Sequence, residues 1–198
     1  MMEDNAHSEL VYTHIEYINE PFIVISGPSA GGKTTLAEES SYYFSEILML
    51  LIKHTDRLPR NGEINGREYF FIEPDKFDSL ITKNNSLIKV TRYNHKYALC
   101  SSQVDISIRL KKRPLFILDP HAALMFKKQY PNSLLLFVAP KLVSTVENRI
   151  RARNEDSVEK EKRIALLNEE YELRQKFDYN VFFDEGIDVI RKILFSAQ

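Results

Sequence analysis

The sequence predicts an α/β fold in which a mostly parallel sheet is flanked by helices. Short apolar runs rich in β-branched residues alternate with helical patterns, as they do when helices connect consecutive parallel strands. Such strands are apolar throughout because helices cover both faces of the sheet. The first run, residues 21–26, leads into a glycine-rich loop, and a helical pattern follows at residues 33–46.

The glycine-rich loop, residues 27–35, reads G-P-S-A-G-G-K-T-T and fills every fixed position of the phosphate-binding pattern G-x-x-x-x-G-K-[ST]. Its small residues let successive backbone N–H groups point at a phosphate chain, and the helix N-terminus adds a partial positive charge. We expect Lys33 to reach the β- and γ-phosphates and the Thr34 hydroxyl to hold Mg²⁺. A chance glycine-rich turn is the alternative. The residues predicted to bind the nucleotide, taken to be ATP, are Gly27, Ser29, Ala30, Gly31, Gly32, Lys33, Thr34 and Thr35.

Composition limits the classes of protein that the chain can belong to. Its 198 residues suffice for one domain with a substantial core, and 27 Lys and Arg nearly balance 28 Asp and Glu. Bulk charge therefore favours neither a nucleic-acid nor a membrane partner. The single cysteine, Cys100, excludes an internal disulfide and is expected to be a small apolar residue of the interior. We expect a cytoplasmic protein, a monomer or weak dimer.

The remaining elements follow from periodicity and turn residues. We predict strands at residues 47–52, 68–72, 86–93, 96–100, 115–118, 133–139 and 178–183. We predict helices at residues 74–83, 101–112, 121–130 and 141–153, a long charged helix at about 158–176, and a last helix at 187–195. Residues 54–67 are polar and rich in turn residues, and residues 1–20 are predicted to be a loose leader.

A second motif lies in residues 54–71, which read H-T-D-R-L-P-R-N-G-E-I-N-G-R-E-Y-F-F. This stretch matches the pattern T-x-R-x-P-R-x-G-E-x-x-G-x-x-Y-x-F at every fixed position. Together with the phosphate loop it resembles the guanylate kinase family, over about residues 22–194. Further matches are residues 116–119, residues 149–153 with Arg163, and residues 177–179.

The resemblance implies a P-loop kinase fold with a small acceptor-binding lobe and a lid. The implied core is residues 21–53, 101–140 and 165–198, the lobe is residues 54–100 and the lid is residues 141–164. The implied activity is phosphoryl transfer from ATP, with Mg²⁺, to a nucleoside monophosphate. GMP or dGMP is the acceptor by family default.

The second motif carries the residues expected to hold the acceptor. Arg57 and Arg60 are spaced so that a turn can direct both guanidinium groups at one phosphate, to which Tyr69 can add a hydroxyl. The resemblance implies that the acceptor's phosphate binds here and that Glu63 supports the loop. A solvated turn with ordinary surface charge is the alternative. The other residues predicted to contact the acceptor are Lys53, Tyr97, Ser101 and Asp119.

Two further predictions concern the transfer step. Asp119 ends an apolar strand, where a carboxylate can act on Mg²⁺ directly or through water, and it can also cap the next helix. Arg149, Arg153 and Arg163 resemble lid arginines, which with Lys33 are implied to be catalytic because they stabilise charge on the phosphates. A solvent-exposed, salt-bridged helical pair is the alternative for the lid.

The sequence departs from the family where the acceptor's base is expected. Guanine offers N–H donors, so a site that reads it needs acceptors, yet no Asp or Glu lies between Asp78 and Asp105. His121 stands where the family has a second aspartate, and Lys53 stands where a serine faces the base. The same stretch is basic, and Lys89 is a candidate contact if this lobe reads an additional anion.

Three hypotheses remain open. The first is an ATP-dependent nucleoside monophosphate kinase. The second is a kinase of another phosphorylated acceptor, such as a ribose bisphosphate or a modified nucleotide. The third is a non-catalytic guanylate-kinase-like binding module. Retention of Lys33 and Thr34 argues against the third, because binding alone does not require them.

Overall fold

The computed structural model describes residues 22–83, 85–92, 94–153 and 156–195, without the side chain of Phe183. The predicted leader and Asn154 lie outside the described residues. The chain forms two compact units, one of residues 51–114 and the other of residues 22–50 with the residues from 115 onward. The predicted bounds of lobe, core and lid stay a prediction.

The described strands and helices alternate as the sequence indicates. The strands are β1 (Ile23–Ser26), β2 (Leu48–Leu50), β3 (His54–Thr55), β4 (Phe70–Phe71), β5 (Ser86–Arg92), β6 (His95–Cys100), β7 (Arg113–Ile117), β8 (Leu134–Val138) and β9 (Tyr179–Val181). The helices are α1 (Lys33–Tyr43), α2 (Pro74–Lys83), α3 (Ser101–Arg109), α4 (Pro120–Gln129), α5 (Val143–Arg151), α6 (Ser157–Ala165), α7 (Leu167–Glu172) and α8 (Gly186–Phe195). Short 3₁₀ turns cover Leu173–Lys176 and Phe183–Glu185.

The structure corrects two of the predicted elements. The long charged helix is interrupted at Leu166, between α6 and α7, and its last turn is 3₁₀. His54 and Thr55, predicted to lie in a turn, form β3 because they pair with Phe70 and Phe71 on one side and with β6 on the other. Polar composition predicted a turn there, but the pairing partners, distant in sequence, decide the conformation.

The unit that carries the phosphate loop is built on a five-stranded sheet of order β2-β7-β1-β8-β9. Parallel pairing joins β1 to β7 and β8, and β8 to β9, as predicted. All four residues of β1 are buried, and its core neighbours include Leu36 of α1 and Ile190 of α8. Because parallel strands end at the same edge, the segments after β1, β7 and β8 emerge together.

The unit of residues 51–114 contains a four-stranded sheet of order β4-β3-β6-β5. Strand β6 is antiparallel to both β3 and β5, whereas β3 and β4 are parallel. Phe77 and Ile81 of α2 pack against Ala98 and Cys100 of β6. One face of the β5–β6 hairpin therefore lies under α2.

No helix within the described ranges is long and apolar enough to cross a lipid bilayer.

Cys100 gives a test of this packing. The thiol is 1% exposed, and burial raises its pKa to about 11. Burial also lowers the pKa of His54, whose Nδ1 lies 3.6 Å from Cys100 Sγ, so a neutral imidazole faces a neutral thiol. Since the thiolate is the reactive form, we expect iodoacetamide at pH 8 to alkylate the folded protein at least roughly 100-fold more slowly than the urea-unfolded protein. Mass spectrometry measures both rates, and equal rates would contradict the buried position.

Candidate active site

The phosphate loop runs so close to strand β8 that two of its glycines have no room for a side chain. A Cβ on Gly27 would lie 2.1 Å from the Val138 carbonyl oxygen, and a Cβ on Gly31 would lie 2.9 Å from the same oxygen. Gly27 and Gly32 also have φ angles of +135° and +103°, which favour glycine. Glycine at these positions therefore lets the loop lie this close to β8, in the strand-loop-helix setting that the phosphate-binding pattern needs.

The start of α1 is left open to an anion. Gly32 precedes the helix with no side chain capping its N–H groups. Lys33, the first helical residue, folds back so that its Nζ donates to the carbonyl oxygens of Gly27 at 2.8 Å and Pro28 at 2.6 Å. The ammonium group therefore lies at the loop, where backbone N–H groups and the helix dipole already favour negative charge.

All three predicted catalytic arginines reach this loop. Arg149 Nη1 donates to the carbonyl oxygen of Ala30 at 3.2 Å. Arg153 and Arg163 each donate from Nη1 to Ser29 Oγ, at 3.2 and 3.1 Å. Arg163 is only 6% exposed.

Neighbouring Arg151 behaves differently, because it lies on the other side of α5 and pairs with Glu147 and Glu161. The alternative for the lid, a solvent-exposed, salt-bridged helical pair, thus fits Arg151, while Arg149 and Arg153 contact the phosphate loop.

Asp119 follows β7, the neighbour of β1 in the sheet, and caps helix α4. Its Oδ1 accepts a hydrogen bond from Ala122 N at 3.1 Å, which confirms the predicted cap. Thr34 lies in the first turn of α1. A hydroxyl and a carboxylate are oxygen ligands of the kind Mg²⁺ uses beside substrate phosphates, so the donor set fits the ion. The metal role of both residues stays a prediction.

In the other unit, one carboxylate organises the acceptor motif. Glu63 accepts two hydrogen bonds from Arg57 Nη2, at 2.9 and 2.8 Å, and one from the backbone N–H of Arg60 at 2.7 Å. Arg57 Nη1 also donates to the Leu58 carbonyl at 2.6 Å, and Arg57 is 7% exposed. Burial lowers the pKa of Arg57, but the hydrogen bond and charge of Glu63 outweigh this effect and raise it overall.

Aromatic rings surround this arginine and bring Lys53 beside it. The Arg57 guanidinium carbon lies 5.4 Å from the centre of the Tyr69 ring, and the Tyr69 and Tyr97 rings are 5.7 Å apart. Lys53 Nζ lies 5.6 Å from the Tyr69 ring centre and 5.7 Å from that of Tyr97. We call Lys53, Arg57, Glu63, Tyr69 and Tyr97 the acceptor cluster. Four of these five were predicted to contact the acceptor and Glu63 to support the loop, and the structure brings them together.

The first comparison with known proteins uses a family model. The model described as guanylate kinase matches residues 19–197, nearly the whole chain. The chain belongs to the guanylate kinase family. As a member of this family, the chain is a P-loop nucleoside monophosphate kinase.

Individual relatives agree with this assignment. The guanylate kinase of Mycoplasma genitalium is 32% identical over 203 residues, covering 99% of this chain and 84% of the relative. That of Protochlamydia amoebophila is 31% identical over 177 residues, covering 87% and 89%. A crystal structure of guanylate kinase from Anaplasma phagocytophilum has a TM-score of 0.71 at 18% identity, covering 90% of this chain and 86% of that chain. At this identity the likeness shows the fold.

In this member of the guanylate kinase family, Asp78 partly neutralises the positive charge of the basic stretch that follows it. Lys89 and Lys96 bind the two carboxylate oxygens of Asp78 at 2.6 and 2.5 Å, and these hydrogen bonds hold the pKa of Asp78 below its usual value. Lys89 therefore already pairs with a carboxylate, and its contact with an additional anion stays a prediction. His121 Nε2 lies 3.2 Å from Glu169 Oε1, and Ser101 is buried at the start of α3.

Two functional contacts were missed by the sequence analysis. Ser29 was predicted to bind ATP. Its hydrogen bonds with Arg153 and Arg163, which are 124 and 134 residues away, were not predicted. Asp78 was noted only as the last acidic residue before a basic stretch. A lysine-rich hairpin following a helix that carries two aspartates, Asp75 and Asp78, was the available signal for the second contact, and no local signal existed for the first.

Glu63 gives a stability test of the acceptor motif. Its removal leaves the buried Arg57 guanidinium without a carboxylate, so we expect Glu63→Ala to lower the free energy of unfolding by about 2–3 kcal/mol. Glu73→Ala is the matched control, since Glu73 is an exposed glutamate that pairs with the exposed Lys76. Urea unfolding followed by circular dichroism measures both, and an equal effect of the two variants would contradict a structural role of Glu63.

Proposed function

We propose that this chain transfers the γ-phosphoryl group of ATP to the phosphate of GMP or dGMP. The observation that carries the proposal is the meeting of Lys33, Arg149, Arg153 and Arg163 at one glycine-rich loop. Four cations around bare backbone N–H groups match the charge of a triphosphate, and catalysis of phosphoryl transfer consists mainly of such positioning and charge stabilisation. A module that only binds a partner has no need of this arrangement.

Each donor-side residue has a defined task in the proposal. The backbone of residues 27–32 wraps the phosphate chain, and Lys33 turns from the Gly27 and Pro28 carbonyls to the β- and γ-phosphates. Arg149, Arg153 and Arg163 stabilise negative charge that builds up on the transferred group. Thr34 and Asp119 would hold Mg²⁺, which when bound neutralises phosphate charge.

The acceptor cluster supplies the second half of the reaction. Arg57, fixed by Glu63, and Arg60 bind the acceptor's phosphate, and the Tyr69 hydroxyl donates to it. An oxygen of that phosphate forms a bond to the γ-phosphorus while the bond to the β–γ bridging oxygen breaks, and ADP leaves. In this proposal GMP or dGMP is the acceptor because the relatives are guanylate kinases. We also expect action in the cytoplasm as a monomer or weak dimer.

The activity is tested by an acceptor panel. Purified protein with ATP and Mg²⁺ is offered GMP, dGMP, AMP, CMP, UMP and ribose bisphosphate, and ADP release is measured. We expect turnover of GMP or dGMP well above that of the others. Turnover of ribose bisphosphate alone would contradict the proposed acceptor. Absence of turnover, with no ATP binding in calorimetry, would favour a binding module.

Lys33 should be required for chemistry. We expect Lys33→Ala to lower kcat/KM by at least about 100-fold, corresponding to roughly 3 kcal/mol of lost charge stabilisation. Lys128→Ala, at an exposed position on α4, is the matched control and should retain wild-type kinetics. Near-normal turnover of Lys33→Ala would remove this lysine from the mechanism.

Ser29 should act through Arg153 and Arg163, which donate hydrogen bonds to its hydroxyl. We expect Ser29→Ala to lower kcat roughly tenfold with the acceptor KM little changed, because Arg153 and Arg163 lose their shared hydrogen-bond acceptor. Ser29→Thr keeps the hydroxyl and should restore most of the rate. Steady-state kinetics of both variants measure the effect, and an unchanged kcat in Ser29→Ala would show that the two arginines are held by other contacts.

A further inference from the structure

We propose that Lys53 is a cationic contact for the acceptor's phosphate, in addition to the arginines of the acceptor motif. The proposal rests on the proposed function, since it assigns a further binding residue to the same acceptor cluster. It also gives Lys53 a different task from contact with the acceptor's base, the task that the family comparison suggested.

The position of Lys53 is fixed from the backbone outward. It lies just before β3, and its carbonyl oxygen accepts a hydrogen bond from Phe70 N at 2.9 Å. This bond holds the residue against β4, next to Tyr69. From there the half-buried side chain reaches both tyrosine rings of the acceptor cluster, at 5.6 and 5.7 Å. Arg57 lies against the same Tyr69 ring, so two cations flank one aromatic residue.

The charges of the cluster favour an anion. The two oxygens of Glu63 hydrogen-bond to Arg57 at 2.8–2.9 Å, so the carboxylate of the cluster is used by that arginine. Lys53 adds a further positive charge, and the tyrosine rings attract it through their faces without neutralising it. The cluster as defined holds two cations and one carboxylate. A phosphate group brings the missing negative charge.

Tyr97 does not supply that negative charge at physiological pH. Burial raises the pKa of Tyr97, and this effect exceeds the opposing influence of Arg57. Tyr97 therefore keeps its proton and can donate it in a hydrogen bond. An ammonium group and a phenol hydroxyl are both hydrogen-bond donors, which suits phosphate oxygens and not the N–H edge of guanine.

Lys89, in strand β5, differs from Lys53 in the face of the sheet on which it lies. In the β5–β6 register Lys89 is opposite Ala98, whereas Val90 is opposite Tyr97. Since successive residues of a strand point to opposite faces, Lys89 shares the α2 face with Ala98, and Tyr97 points to the other face. Lys89 also pairs with Asp78. Lys89 is therefore a matched control. It belongs to the same sheet as Tyr97, but it lies on the opposite face and pairs with a carboxylate.

The test compares Lys53→Met, Lys53→Arg and Lys89→Met in the full chain. We expect Lys53→Met to raise the acceptor KM at least tenfold, with the ATP KM within twofold and kcat within threefold of wild type. Lys53→Arg keeps the charge and should stay within threefold in all three constants, as should Lys89→Met. An unchanged acceptor KM in Lys53→Met, or an equal rise in Lys89→Met, would overturn the proposal. Thermal unfolding of each variant identifies a merely structural effect, in which stability falls and KM does not change.

A binding measurement separates phosphate from base and does not depend on turnover. Inorganic phosphate and guanosine are titrated separately into wild type and Lys53→Met, and their dissociation constants are measured by calorimetry or by competition with the acceptor. The proposal requires at least tenfold weaker phosphate binding and unchanged guanosine binding. Weaker guanosine binding with unchanged phosphate binding would assign Lys53 to the base and overturn it. If wild type phosphorylates no nucleoside monophosphate, the proposed function fails, while this titration still decides the role of Lys53.

Discussion

The structure depends most on the close approach of the phosphate loop to strand β8. Gly27 passes so near the Val138 carbonyl that a single added carbon would overlap it, and Gly31 is nearly as restricted. Only glycine at these positions lets the loop lie this close to β8. The same tight turn carries Ser29 and Ala30, to which three arginines from the far end of the chain donate. The glycines that lie against β8 and the residues that accept from the arginines thus belong to one short loop.

In the other unit, one carboxylate holds the arginine motif in place. Glu63 binds the side chain of Arg57 and the backbone of Arg60, so one group sets both positions of the arginine pair. Arg57 is nearly buried and is tolerated there because Glu63 compensates its charge and the Tyr69 and Phe71 rings cover it. Lys53 joins the same aromatic group, which makes this region more cationic than the two motif arginines alone would.

Much of the fold followed from local pattern, and the exceptions have physical reasons. Apolar runs predicted β1, β7 and β8, and α2 was predicted with its observed bounds of Pro74–Lys83. Strand β3 was not predicted because it has only two residues, His54 and Thr55, and lies in a polar stretch. Pairing with β4 and β6 makes these residues extended. The break at Leu166 was missed because charged helical composition continues across it. The pairing of Lys89 with Asp78 was not predicted because Asp78 lies on a neighbouring helix.

The sequence by itself determined the strand-loop-helix order, the phosphate loop and the arginine motif, because each depends on residues a few positions apart whose backbone preferences act locally. Only the tertiary structure decided which charges meet. Arg153 and Arg163 share Ser29, Lys89 is neutralised by Asp78, and Lys53 lies between two tyrosines. These contacts join residues up to 134 positions apart. Their formation depends on how strands and helices pack, which no local pattern records.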